Sequence, residues 1–244
     1  GNVYLSTGEY TKAIAPLSSA HAIFQDIGNA KNEGLVLLNK TDLFINIGNF
    51  DEATKLIAYA DKMLSDFQDP TIAGYLNYYK GNIAFQKLEI MRAIEHIGNS
   101  IEQFQIAQKQ QEAYKRYLLI VQILLYDQQY HKADICLNKI NPLEKQVRDE
   151  KDVLLADSLR LFIRAIQNDL SPAVGEKMLK KLQNPKNKND CHFAWWYLAL
   201  SFSIIGENKK SKRCLNESKK ILAHKVANIT DENHRTGFIN KNIL

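Results

Sequence analysis

The side chains able to do acid–base, nucleophilic or metal chemistry are scattered along the chain. His21, His96, His131, His192, His224 and His234 stand far apart, and none belongs to an H-E-x-x-H pair that would set two imidazoles on one helix face around zinc. No G-x-x-x-x-G-K-[Ser/Thr] loop is there to cradle phosphates, and no G-x-S-x-G elbow to expose a serine. Cys191 and His192 are the only adjacent thiol and imidazole. Neighbours on a helix diverge by about 100°, so this histidine cannot directly activate that thiol. Cys136, Cys191 and Cys214 are odd in number, widely spaced and without a C-x-x-C pair. They point to neither a disulfide framework nor a zinc site, and they fit a reducing, cytoplasmic compartment. The expectation is a protein that is not an enzyme and uses no cofactor or metal.

Composition bounds what else the chain can be. At 244 residues it exceeds the usual single-core domain, so either two domains or an elongated repeat architecture is expected. Hydrophobic content of 45%, charged content of 24% and five prolines describe a chain that folds nearly throughout. No run of about 18 apolar residues exists to span a membrane, and no signal-peptide pattern opens the chain. The net charge of +5 is unevenly placed: from Glu176 to Lys220, eleven Lys or Arg stand against Glu176, Asp190, Glu207 and Glu217. That stretch is either a solvated outer face or a patch for nucleic acid or an acidic partner.

The elements that would carry these residues declare themselves by repetition. Gly8-Glu9-Tyr10 with Ala13, Gly48-Asn49-Phe50 with Ala53, Leu88-Glu89-Ile90 with Ala93, and Gln128-Gln129-Tyr130 with Ala133 recur at an offset of 40 residues. Each reads as a turn followed by a small residue where two helices approach closely. Leu17, Ile57, Ile97 and Leu137 come four residues later, and Ala20, Ala60, Ser100 and Ile140 three beyond those. This is the i, i+4, i+7 stripe of one helix face. Upstream of each turn lies an apolar helix, such as Leu35, Leu38, Phe44 and Ile45, so each repeat is a helical hairpin that must stack on neighbours to bury its open face. Gly28-Asn29, Asp69-Pro70 and Asn141-Pro142 separate the hairpins. The fifth unit has two registers: the strict offset gives Asn168, Leu170 and Ala173, whereas Gly175 as the small residue puts Leu179 and Leu182 on the stripe. Gly175 is preferred. A sixth unit reads Trp195, Leu198, Ala199, Phe202, then Gly206-Glu207-Asn208 with Ser211, Leu215 and Ser218. Ile229, Phe238 and Ile239 suit a terminal helix covering the last hairpin.

Gly81 with Ala93 twelve later, Ala199 with Ser211, and the Gly-x-[Tyr/Phe]-x-x-Ala turn resemble the tetratricopeptide repeat (TPR). The resemblance covers essentially the whole chain, and the Phe24 to Gly34 junction looks like the roughly 40-residue variety found in bacterial signalling and transcriptional regulators. Leu88, Gln128 and Asn168 depart from it, standing where the family often has Gly. It implies an all-α, right-handed α-α superhelix of about six hairpins, near 1–28, 29–69, 70–110, 111–148, 149–186 and 187–223, with a cap over 224–244, as a single array. Gly1 would fall halfway along a first helix, so the chain is expected to be a segment of a longer protein. The family's motif encodes packing and no chemistry. It implies a scaffold or sensor module that binds a peptide or partner domain with the inner face of each first helix, at Asn39, Asp42 and Asn46; Tyr78, Asn82 and Gln86; Lys115, Gln122 and Tyr126; Arg160, Arg164 and Gln167; and Trp196. Amides there could bond a peptide backbone, and Arg could grip a carboxylate. Two other readings stay open: nucleic-acid or acidic-partner binding through the basic C-terminal region, and a structural or self-association spacer.

Overall fold

In the computed structural model, residues 1–147, 149–184 and 191–243 are described. Lys186, Lys188 and Asp190 of the basic stretch lie outside them. Among the described residues there is no strand. The helices are α1 (Asn2–Ser6), α2 (Tyr10–Asp26), α3 (Ala30–Asn46), α4 (Phe50–Leu64), α5 (Pro70–Gln86), α6 (Ile90–Ile106), α7 (Gln110–Tyr126), α8 (Tyr130–Ile140), α9 (Glu150–Ile166), α10 (Pro172–Leu182), α11 (His192–Ile204), α12 (Asn208–Ala227) and α13 (Glu232–Ile243), with a 3-10 segment at Asn141–Gln146. They form two compact units, one of Gly1–Lys109 with Lys225–Leu244 and one of Gln110–His224.

The 40-residue period resolves into two equal halves, because the helices from α2 to α9 begin every 20 residues, at Tyr10, Ala30, Phe50, Pro70, Ile90, Gln110, Tyr130 and Glu150. Eight turns, within and between hairpins, are built alike. The second residue after the helix takes a left-handed φ, and the next N–H reaches back to the carbonyl five residues earlier, as from Asn49 to Phe44 (2.8 Å), Glu89 to Ala84 (2.9 Å) and Lys109 to Phe104 (2.8 Å). This is the Schellman closure, which satisfies carbonyls a helix end leaves orphaned. Gly8, Gly28, Gly48 and Gly206 hold that position with φ of 76°, 68°, 77° and 78°; Leu88, Gln108, Gln128 and Asn168 hold it with φ of 60°, 56°, 57° and 59°. The departures from Gly seen in the sequence are therefore substitutions within an unchanged turn.

In the first unit the repeated small positions pack as the spacing predicts. Ala13, Ala53, Ala93 and Ala60 are fully buried, with Leu17, Ile57 and Ile97 beside them. Close approach is explicit at Gly81, where a Cβ would stand 2.6 Å from the tip of Ile97 and 3.2 Å from the Ala93 carbonyl oxygen. Ser100, buried on the same stripe, donates its hydroxyl to the Gly74 carbonyl at 2.6 Å, so the one polar member of the stripe costs no unsatisfied group. Leu37, Ile45, Ile57, Leu64, Leu76 and Tyr79 share one core.

The second unit repeats this with Ala133, Leu137 and Ile140 buried. α8 is short because Asn141-Pro142 turns the chain into the 3-10 segment. Gly175 is buried and Ala173 exposed. Gly175 stands four residues after the N-cap Ser171, as Ala133 stands four after Gln129. The fifth register is that of Gly175, 42 residues after Ala133, because α10 starts two residues late on Ser171-Pro172. A Cβ on Gly175 would meet the Phe202 ring at 2.7 Å. Trp195, Leu198, Phe202, Leu179, Leu182 and Cys214 complete the core.

The terminal helix α13 lies against the first two hairpins, which corrects the expectation that Ile229, Phe238 and Ile239 would cover the last one. Its Phe238 ring is 6.2 Å from Tyr10 and His234 is 6.3 Å from Phe44. The Thr230 N–H donates to the Thr11 hydroxyl. The contact is tight because both surfaces are glycine: a Cβ on Gly48 would lie 2.1 Å from the Gly237 carbonyl oxygen, and one on Gly237 would lie 2.4 Å from that of Ile47.

Candidate partner-binding faces

The residues singled out as an inner face sit on the first helices of their hairpins, and the first helices neighbour one another: α3 packs on α5 in the first unit, and α9 packs on both α7 and α11 in the second. Core-facing residues fill one side of each helix, so Asn39, Asp42 and Asn46 on α3, and Tyr78, Asn82 and Gln86 on α5, are left half-buried along the other. Two of the amides are turned back on their own helices. Asn46 donates to the Asp42 carbonyl at 2.9 Å and Asn82 to the Tyr78 carbonyl at 3.3 Å. Asn82 keeps its side-chain carbonyl as an acceptor. Tyr78 packs on Tyr79 with ring centres 4.9 Å apart.

In the second unit the cations of this face are engaged internally. Arg160 bonds Glu144 at 2.5 Å and Asn141 at 2.7 Å, both from the 3-10 segment, and Asp157 at 3.4 Å. Arg164 grips the Asp169 carboxylate at 3.0 Å and its carbonyl at 2.8 Å, closing the C-terminal end of its own helix. Lys115 pairs with Glu112 at 3.7 Å. Gln122 hydrogen-bonds Tyr197, whose hydroxyl burial pushes up to about 12; Tyr197 also packs on Phe162 at 5.5 Å. Tyr126 and Gln167 are exposed. Arg160 belongs to a wider polar seam in which Tyr114 donates to Glu144 and Gln111 to Asp152 at 2.6 Å. Burial raises the Asp152 carboxyl to about 6.

The sixth hairpin presents a different surface. Trp195 is 3% exposed and fills the core, while Trp196 is 43% exposed. Phe193 and Ile204, three residues before and eight after Trp196, are exposed on the same side of α11. These two were missed among the candidate site residues, although counting back from Ser211 as for the other hairpins reaches them as well. All three cysteines are buried and form no disulfide, and burial raises the thiols of Cys136 to about 11 and Cys214 to about 12. Among the described residues no group of three His, Cys, Asp or Glu could hold a metal ion, and no helix is long and apolar enough to cross a membrane.

Consecutive hairpins with buried small residues on a 40-residue period settle the architecture. The chain is a helical repeat array, consistent with TPR-like repeats. No protein-family model matches it, and no curated protein does. Among solved structures, this TPR-like chain is similar to the crystal structure of the P58(IPK) TPR domain, with 12% identity, a TM-score of 0.33, and 95% of this chain aligned. The alignment takes in 65% of that structure, less than two thirds of its length.

Proposed function

We propose that this array is a non-catalytic interaction module that binds a peptide or partner domain on the inner face of its first helices, the side their core packing leaves over. The observation that supports this most strongly is the face of α11, where Phe193, Trp196 and Ile204 remain exposed while Trp195, Leu198 and Phe202 already satisfy the core. Exposed aromatics grouped on one helix face are the usual anchors of a protein interface, since each brings a large apolar area at low entropic cost. The half-buried amides and tyrosines of α3, α5 and α7 would line the polar remainder of such faces. The setting we read for it, a cytoplasmic bacterial regulator in which the array serves as scaffold or sensor, rests on the resemblance of the Phe24 to Gly34 junction and on three widely spaced cysteines without a C-x-x-C pair.

The test is selection of peptides from a display library against the whole chain, followed by fluorescence anisotropy with a selected peptide. Trp196→Ala is expected to weaken binding roughly thirtyfold, the size of a hot-spot truncation. A combined Asn82→Ala and Arg164→Ala variant is expected to weaken it less, because both side chains are already engaged in their own helices. Unchanged affinity in both variants would remove the first-helix faces from the reading.

A further inference from the structure

The second helices of the last two hairpins carry more positive charge than their ion pairs neutralise. On α12 every charged residue from Lys209 to Lys225 is a cation except Glu217. Lys210 is held by Glu176 (2.6 Å) and Glu207 (3.1 Å), and Lys220 by Glu217 (2.7 Å). Lys209, Lys212, Arg213 and Lys219 are exposed and hold no ion pair among the described residues. Together with Asn216, Ala223 and the ion-paired Glu217 and Lys220 they line a shallow open depression of about 650 Å³ along the helix, five cations against one carboxylate. Lys177 and Lys180 extend the charge onto α10, which the Lys210–Glu176 bridge ties to α12.

We infer that this outer face of α10 and α12 binds the phosphate backbone of double-stranded nucleic acid without reading sequence. The rows step along the helix by three or four residues, about 5 Å of rise, a spacing at which successive cations can meet successive phosphates. No large apolar side chain is exposed on α12, because its apolar residues, such as Cys214 and Leu215, pack into the hairpin core. A basic helix that lodges in an anionic membrane adds an inserted apolar face to its charge, and an acidic protein would need buried anchors beyond exposed ion pairs, each of which contributes little. A phosphate chain needs neither, since each neutralised phosphate releases condensed counterions. The face also lacks an aromatic on which unpaired bases could stack, which favours a duplex over a single strand.

The experiment is fluorescence anisotropy of the whole chain with a labelled 20-base-pair duplex at 50 and 200 mM salt. With about five phosphate contacts the slope of log K against log salt is about −4.5, so affinity falls roughly 500-fold over that range. Neutralising Lys212 and Arg213 together (Lys212→Gln, Arg213→Gln) is expected to flatten the slope by about 1.8, and adding Lys209→Gln and Lys219→Gln to abolish measurable binding. Lys55→Gln with Lys87→Gln, which removes two exposed charges from the other unit, should leave it unchanged, separating this face from net charge. All six positions are exposed, and an unaltered melting curve confirms each variant is folded. Duplex binding that survives the fourfold variant would overturn the inference, as would tighter binding to polyglutamate or to anionic vesicles than to duplex at equal salt.

Discussion

Replacing Leu88 and Gln108 by glycine is expected to stabilise the protein, although each change deletes a whole side chain. Both residues sit at the left-handed position of a Schellman turn, with φ of 60° and 56°. Such a conformation costs a non-glycine residue about 1–2 kcal/mol. Glycine relieves that cost but returns about 0.5–1 kcal/mol through the greater freedom of its unfolded chain. Leu88 is 55% exposed and Gln108 is exposed, so little buried area is lost. The net gain is about 0.5–1 kcal/mol at each site. The two turns lie at opposite ends of α6, 17 residues long and so about 25 Å, and their effects should add. For a chain of this size 1 kcal/mol moves the melting temperature by about 2–4 °C, giving about 2–8 °C for the double variant in a thermal melt followed by circular dichroism. The converse variant is Gly28→Ala, whose Cβ would meet nothing within 4 Å while φ stays at 68°. It should cost about 1 kcal/mol through the backbone alone. Leu88→Gly and Gly28→Ala shifting the melt in the same direction would refute the account.

Three further outcomes follow from the structure. Asp152 carries a carboxyl raised by burial to about 6 against about 3.9 when unfolded, so the folded state holds the extra proton and stability falls as pH rises from about 4 to 6. Asp152→Asn, which keeps an acceptor for Gln111, should therefore raise stability at pH 7 by about 1–2 kcal/mol after allowing for partial solvent screening and flatten the pH dependence of urea midpoints. Trp195→Ala should cost about 3–5 kcal/mol by opening the core, whereas Trp196→Ala should stay within about 0.5 kcal/mol; chemical denaturation of the two variants separates them. Gly237→Ala places a Cβ 2.4 Å from the Ile47 carbonyl oxygen, so α13 should lose its seat, seen as faster amide exchange across Glu232–Ile243 while the amides of α5 and α6 keep their protection.

Much of the architecture could be read from the amino acids because its determinants are local and periodic. Ala13, Ala53, Ala93 and Ala133 mark the helix contacts by size, and the stripe that follows each of them is fixed by 3.6 residues per turn. Even the two-residue slip at Gly175 was open to view, since that small residue alone puts Leu179 and Leu182 on the stripe; only the structure shows the Phe202 ring against it. Other features depended on where the chain returns in space. Leu88, Gln108, Gln128 and Asn168 adopt the glycine conformation because helices packed on both sides of each turn fix its geometry whatever residue stands there. The seat of α13 rests on a meeting of Gly48 and Gly237, which are 189 positions apart, and no local pattern encodes such a pairing. The candidate faces divide in the same way. Counting from the small residues located Arg160, Arg164 and Asn82, but it could not show that Glu144, Asp169 and the Tyr78 carbonyl already hold them. Periodicity records which side of a helix a residue occupies; its hydrogen-bond partners depend on distances set when separate elements pack.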